Sequence, residues 1–198
     1  MEPQTYNLPY LHRGDSWSGF GPFQILVASG EPFTAVAEGD SDTLTAAGRG
    51  LSNGDILTVA TTAAGLTAGR RLYVVDATTN TFGLALEAGG EAIVAAADRT
   101  HTLQLHAPPA SAIDRIWIEF RRDSETGPIG LALDSDDASI TILDADEWRF
   151  TIPAQDGPST AGEWHYDIEI LDADEVRKTY VKGLLVVGQD VTRNTAAA

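Results

Sequence analysis

Strict alternation of apolar and polar side chains marks one stretch of this chain, Trp164-His165-Tyr166-Asp167-Ile168-Glu169-Ile170. Successive side chains of a β-strand point to opposite faces of its sheet. The alternation therefore places the aromatic and aliphatic residues on one face and the charged residues on the other. The stretch predicts a strand in a sheet with one buried and one solvated face.

The same two-residue period recurs elsewhere, whereas sustained helical periodicity does not. Apolar residues alternate with polar ones in 116–121 and 148–152, and residues 180–187 form a more fully apolar run. Turn-rich groups such as Asp134-Ser135-Asp136-Asp137 separate these stretches. Short strands at this spacing, with such turns between them, predict an all-β chain built as an antiparallel β-sandwich.

The middle of the chain differs in composition and contains a short internal echo. Residues 33–106 are rich in Ala, Thr and Gly and include no Trp. Residues 50–59 and 65–74 each place two glycines around a bend, with a leucine between them, before an alternating strand. Two copies are too few for a solenoid, so we expect a small β-barrel of five or six strands.

These differences predict a discontinuous domain organisation. A strand over 23–28 would lack partners by itself, so we assign it to the sandwich and place the barrel after it. Pro108-Pro109 marks the return to the sandwich. The predicted segments are an N-terminal arm (1–12), the sandwich (13–31 and 108–193), the inserted β-rich domain (32–107) and a C-terminal tail (194–198).

Composition excludes several classes of function. The net charge of −16 and the scattered basic residues argue against nucleic acid as a partner. No apolar run is long enough to cross a bilayer, and the first residues lack the pattern of a signal peptide, so we expect synthesis in the cytoplasm and no membrane partner. Cysteine is absent, which removes disulfides and thiolate chemistry.

Three segments resemble a family of small phage virion proteins related to the N-terminal domain of phage baseplate upper proteins. They are Arg13-Gly14-Asp15-Ser16-Trp17, Gly162-Glu163-Trp164-His165-Tyr166-Asp167-Ile168-Glu169, and Gly183-Leu184-Leu185-Val186-Val187 with Asp190-Val191-Thr192-Arg193. In that family such segments belong to an Ig-like sandwich. The resemblance therefore implies an Ig-like β-sandwich in a virion structural protein.

The middle of the chain separately resembles a β-rich unit that is inserted into many phage structural proteins. The segments that carry this likeness are Asp42-Thr43-Leu44-Thr45-Ala46-Ala47-Gly48-Arg49-Gly50-Leu51, Leu72-Tyr73-Val74-Val75 and Thr81-Phe82-Gly83-Leu84. The unit usually has His where this chain has Arg49.

Together the two likenesses imply a non-enzymatic virion component, made in the host bacterium, that binds other virion proteins and copies of itself. A place in the tail, baseplate or neck, as an adaptor or attachment component, is one possibility. A decoration or cement protein of the capsid head is an alternative. A glycan-binding module for host adsorption is an alternative of another class.

Residues suited to catalysis do not form a recognisable set. The four histidines lack metal-triad or H-E-x-x-H spacing, and no serine lies in a G-x-S-x-G turn. We therefore expect no enzyme activity, no catalytic residue and no cofactor.

Two nearly identical acidic heptapeptides, residues 143–149 and 171–177, are the candidate metal sites. Their carboxylates, on Asp144, Asp146, Asp172 and Asp174, could bind Ca²⁺ or Mg²⁺, which need several converging oxygens. No EF-hand spacing is present. We favour a pair of β-turns, in which Asp accepts hydrogen bonds from its own backbone, and no bound metal.

Four side chains are candidates for a subunit interface. Tyr6, Leu8 and Tyr10 alternate in the N-terminal arm, for which we predict no local partner strand. Extended arms often pair with a neighbouring subunit. Trp117 lies on the polar side of its predicted strand, and we expect it to be an exposed contact.

Overall fold

The structure is a computed structural model that describes residues 4–9, 11–12, 16–17, 19–37, 42–60, 66–94 and 99–189. These ranges contain eighteen strands, one turn of 3-10 helix (Ser135–Asp137) and no α-helix. The strands are β1 (Gln4–Thr5), β2 (Leu11–His12), β3 (Ser16–Trp17), β4 (Phe20–Gln24), β5 (Val27–Ala28), β6 (Phe33–Ala37), β7 (Thr43–Thr45), β8 (Ile56–Val59), β9 (Arg71–Val75), β10 (Thr81–Ala85), β11 (Arg99–Ala107), β12 (Ile113–Arg122), β13 (Ile129–Asp134), β14 (Thr141–Asp144), β15 (Arg149–Ile152), β16 (Gln155–Asp156), β17 (Gly162–Asp172) and β18 (Arg177–Gly188). No helix in the described ranges could cross a membrane.

The chain divides into two compact units, Met1–Ile25 with Pro108–Ala198, and Leu26–Ala107. The expected single strand over 23–28 is wrong. β4 ends at Gln24 and pairs with β15, whereas β5 pairs with β11 of the second unit. The inserted unit therefore begins at Leu26 rather than at residue 32, because β5 completes its pairing there.

The first unit is built on one long sheet with the order β1-β18-β17-β12-β13. β12, β13, β17 and β18 are antiparallel neighbours. The predicted alternation places one row of apolar side chains in the core: Ile116, Ile118, Phe120, Trp164, Tyr166, Ile168 and Ile170.

A second layer covers the buried face of this sheet. It consists of the sheet β14-β15-β4; β3 and β16 form a separate pair. Trp148, fully buried just before β15, packs edge-on against Tyr180 of β18 with ring centroids 4.9 Å apart. Burial of aromatic side chains between two layers is typical of a β-sandwich.

The N-terminal arm pairs with a strand of its own chain. β1 and β2 both lie parallel to β18 along its outer edge. Between them, Tyr6 and Leu8 donate backbone hydrogen bonds to the carbonyls of Lys182 and Leu184, each at 2.9 Å. The prediction that the arm has no local partner strand is therefore wrong. Sequence did not reveal the pairing because it joins residues about 180 positions apart in a parallel ladder.

The second unit is a closed barrel. Five strands follow one another in the order β6-β7-β10-β9-β8, and a sixth, β11, pairs with both β6 and β8 to close the ring. The leucines at the two echoing bends face the barrel interior, since Leu66 is buried there and Leu51 packs against the same cluster. The prediction of an all-β fold with a barrel-like insert is confirmed.

Candidate functional site

A cleft of about 410 Å³ lies on the solvated face of the six-stranded sheet, beside the N-terminal arm. Its floor is a row of charged side chains on neighbouring strands: Glu119 on β12 is opposite Asp167 on β17, which is opposite Lys182 on β18. Thr5 of the arm lies opposite Lys182 and extends this row. Strand register therefore brings together residues that are far apart in sequence.

Ion pairs satisfy most of the charges in the cleft. Arg121 forms a salt bridge with Glu119, and Lys182 lies 3.2 Å from Glu125. Asp167 differs from these, because burial raises its pKa, and nearby Glu169 and Glu119 raise it further. The positive charges of Lys182 and Arg121 only partly oppose that shift. Asp167 is therefore the carboxylate of the cleft with the least compensated charge.

The arm forms one wall of the cleft and is held there by side chains as well as by backbone. The Asn7 side-chain oxygen accepts a hydrogen bond from the Leu184 amide at 3.0 Å. The Tyr166 hydroxyl donates to the Tyr6 carbonyl oxygen. Burial raises the pKa of Tyr166, which keeps this donor protonated. The shape of the cleft thus depends on the docked arm.

A glycine makes this docking possible. The Tyr6 carbonyl passes directly over Gly183 of β18. A Cβ at position 183 would lie 2.7 Å from the Tyr6 carbonyl carbon, 2.8 Å from a ring carbon of Tyr166, and closer still to the carbonyl oxygen. Because no side chain fits in this space, glycine is required for the arm to reach its position.

Trp117 is not the freely exposed contact that the sequence predicts. The indole is half-buried, with the Arg115 guanidinium 4.8 Å from its centroid and the Arg177 guanidinium 4.5 Å from it. Both cations are themselves paired, Arg115 with Asp134 and Asp136, and Arg177 with Glu169. Cation–π contacts and ion pairs therefore cover this tryptophan within its own sheet.

The arm residues proposed for an interface differ in exposure. Leu8 is 7% exposed and lies in the core of its own unit, so it is not available to a partner while the arm is docked. Tyr6 is 49% exposed and packs edge-on against Phe23. Tyr10 lies outside the described residues.

Both acidic heptapeptides form turns between paired strands. Asp144 accepts a hydrogen bond from the Glu147 amide at 3.0 Å. The same oxygen of Asp172 accepts from the amides of Asp174 and Val176, at 3.1 and 2.9 Å. These are the local side-chain to backbone bonds of Asx-type turns.

The other two candidate carboxylates, on Asp146 and Asp174, are exposed. Within the described residues, no three His, Asp or Glu side chains are grouped so that they could hold a metal ion.

Sequence reasoning missed the cleft because it considered one strand at a time. The alternating pattern predicts which side chains of β12 and β17 lie on the solvated face. It does not predict the register in which the two strands pair. A search for opposite charges at alternate positions of neighbouring strands would have suggested the row Glu119, Asp167 and Lys182, given the pairing.

Comparison with known proteins adds no relative from which a role could be transferred. No protein-family model matches the chain, no curated protein matches it, and no solved structure matches it.

Proposed function

We propose that this chain is a non-enzymatic structural protein of a bacteriophage particle, acting as a tail, baseplate or neck adaptor that binds other virion proteins. The observation that carries the proposal is the pairing of the two late phage-like segments. Residues 162–169 lie in β17 and residues 183–187 in β18, and Tyr166 is directly opposite Gly183. The segments that carry the resemblance thus form the part of the sheet that receives the N-terminal arm.

The inserted barrel supports the same proposal. It has its own closed ring of strands and its own buried cluster. A unit of this kind can be added at an exposed connection at low cost, because the entropy of loop closure grows slowly with length. This agrees with its likeness to a unit inserted into many phage structural proteins.

Quantitative mass spectrometry of purified particles of the phage that encodes the chain tests the proposal. A small multiple of three or six copies per particle is the expected result. Hundreds of copies would instead favour the alternative role as a head decoration protein. Absence of the chain from purified particles would overturn both virion roles.

The cleft favours a second candidate function, recognition of a small polar ligand such as a sugar at the host surface. Its volume lies in the usual range of ligand sites, and Asn7, Arg121 and Asp167 present donors and acceptors there. Trp148 and Trp164 cannot stack against a sugar in this role, because both side chains are buried.

A glycan array with wild-type protein and the Asp167→Asn variant would test the second function. Binding that the variant weakens is expected if the cleft recognises sugars. Binding that is absent, or unaffected by Asp167→Asn, would exclude the cleft as a glycan site.

A further inference from the structure

One carboxylate of the cleft has no hydrogen bond or salt bridge to another described residue. It belongs to Asp167, whereas Glu119 and Glu125 each pair with a basic side chain. Burial and the neighbouring negative charges raise the pKa of Asp167, while Lys182 and Arg121 act on it only from beyond salt-bridge distance. A half-buried carboxylate in this state costs free energy, and a ligand of opposite charge would recover part of that cost.

The arginine and the lysine that line the cleft are already paired. Arg121 forms its salt bridge with Glu119 on the same strand, and Lys182 lies 3.2 Å from Glu125. Among the described residues, three carboxylates therefore line the cleft beside one arginine and one lysine, in a chain whose net charge is −16. An anionic ligand would have to break one of these ion pairs, whereas a cation would find the carboxylate of Asp167 unpaired.

The cleft also offers apolar surface near this carboxylate. Leu184 of β18 lies opposite His165 and is half-buried on the otherwise polar face of the sheet. Thr5 and Asn7 of the arm line the same cleft. A ligand with an apolar stem and a positively charged end therefore matches both the leucine and the unpaired carboxylate.

We propose that the cleft binds an arginine side chain of a partner protein, with its guanidinium on Asp167 and its aliphatic stem against Leu184. A carboxylate without other bonds has both oxygens available, and a planar guanidinium meets two carboxylate oxygens with parallel hydrogen bonds. A lysine ammonium is a compact point charge and lacks this geometry. The inference rests on the proposed adaptor role only for the source of the arginine, another protein of the same particle.

An NMR titration of the full chain with Nα-acetyl-arginine amide tests the chemistry of the cleft. Saturable shifts are expected at the amides of Asp167 and Lys182, with none at Val74 in the barrel. Nα-acetyl-citrulline amide has nearly the same shape without the charge, and it should cause no saturable shift. Nα-acetyl-lysine amide should bind more weakly than the arginine derivative.

Two variants with the same change in net charge locate the site. Asp167→Asn should weaken binding of the arginine derivative at least about tenfold, because charge-assisted hydrogen bonds are the strong ones. Asp174→Asn removes an exposed carboxylate from the turn between β17 and β18, outside the cleft, and should bind like wild type. The dispersion of amide resonances in each variant establishes that it is folded.

The proposal fails if the arginine derivative causes no saturable shift, or if the citrulline or lysine derivative binds as tightly. Equal weakening by the two variants would show general attraction to an acidic protein, and binding that Asp167→Asn leaves unchanged would place the ligand elsewhere. Either result would refute the assignment. The copy number in purified particles tests the virion role separately, so failure of the titration would leave that role standing.

Discussion

Substitution of Gly183 by alanine should release the N-terminal arm from β18. The added methyl group would overlap the Tyr6 carbonyl group and approach the Tyr166 ring to 2.8 Å. Backbone on one side and a buried ring on the other leave no flexible side chain that could move aside. We therefore expect the arm to move, because β18 is also held by its long pairing with β17.

The size of the effect follows from what the arm loses. Burial of a leucine such as Leu8 contributes about 1.5–3 kcal/mol, and each of the two backbone bonds from Tyr6 and Leu8 contributes about 0.5–1.5 kcal/mol. The released arm regains conformational entropy, which offsets part of this loss. We expect the free energy of unfolding to fall by about 1–3 kcal/mol.

Hydrogen exchange measured by NMR separates release of the arm from general destabilisation. In Gly183→Ala, protection of the Tyr6 and Leu8 amides should fall at least about tenfold below wild type. The Val74 amide, which donates to the Asp55 carbonyl in the barrel, should keep its protection.

Val186→Ala is the control variant, because Val186 lies on the same strand, is 39% exposed and has a side chain that alanine merely shortens. Wild-type exchange at Tyr6 and Leu8 in Gly183→Ala would refute the requirement for glycine.

Three further predictions concern pH and domain limits. Burial lowers the pKa of His101, so below about pH 6.5 the unfolded chain binds more protons than the folded one, and the barrel should lose stability as the pH falls. Calorimetry at pH 5 and pH 8 should show a smaller loss of stability in His101→Leu than in wild type. The pKa of Asp167 is raised in the folded state, so its ionised form opposes folding at neutral pH. Asp167→Asn should therefore raise the urea concentration at the unfolding midpoint at pH 7. No such gain is expected at pH 3, where the carboxyl is protonated in both the folded and the unfolded state. A fragment over 26–107 should unfold cooperatively and at higher temperature than one over 32–107, because the shorter fragment lacks β5. The respective expectation would be contradicted by an equal loss of stability in wild type and His101→Leu, by equal urea midpoints of wild type and Asp167→Asn at pH 7, or by equal melting temperatures of the two fragments.

Alternation of apolar and polar residues predicts the long strands, because it depends only on neighbouring positions in the sequence. Alternation over 116–121 and 164–170 determines which face of each strand is buried, whatever the partner strand is. The same reasoning could not predict where the arm docks, since the alternation of Tyr6, Leu8 and Tyr10 does not indicate a partner strand. The partner is β18, to which β1 and β2 are bonded. In the sequence, Gly183 is only one glycine of the segment that resembles the phage family. Its role in docking the arm depends on the Tyr6 carbonyl, which the structure places directly over it.

The alternating pattern also could not predict that a side chain on the polar face of a strand would be partly buried. Trp117 alternates with apolar residues, so the pattern alone predicts that its side chain is exposed to solvent. Its cover comes from Arg115 on its own strand and Arg177 on β18, whose long side chains lie over the ring. Arginine can cover apolar surface while its charged end stays paired, so the polar side of a strand is not always open to a partner.

The two acidic heptapeptides show how one motif can give two turns. In the turn between β17 and β18, Glu175 has the positive backbone angle, with φ of 60°. In the turn between β14 and β15, the corresponding glutamate does not, and Trp148 has φ of 53° instead. The second heptapeptide has Val176 where the first has Trp148, and a β-branched residue is strained in the left-handed region. The identity of this sixth residue of the heptapeptide therefore accounts for where each turn reverses.

What the two turns share is a contact with the beginning of β12. The Ile113 amide donates to the Ala145 carbonyl at 3.0 Å, and the Ala173 amide donates to the Ala112 carbonyl at 2.9 Å. Adjacent residues of one segment are thus held by equivalent positions of the two heptapeptides. Their carboxylates stabilise the turns, and the turns hold the first residues of the strand that carries Glu119. The repetition of the acidic sequence is therefore explained by the support of one strand from two sides.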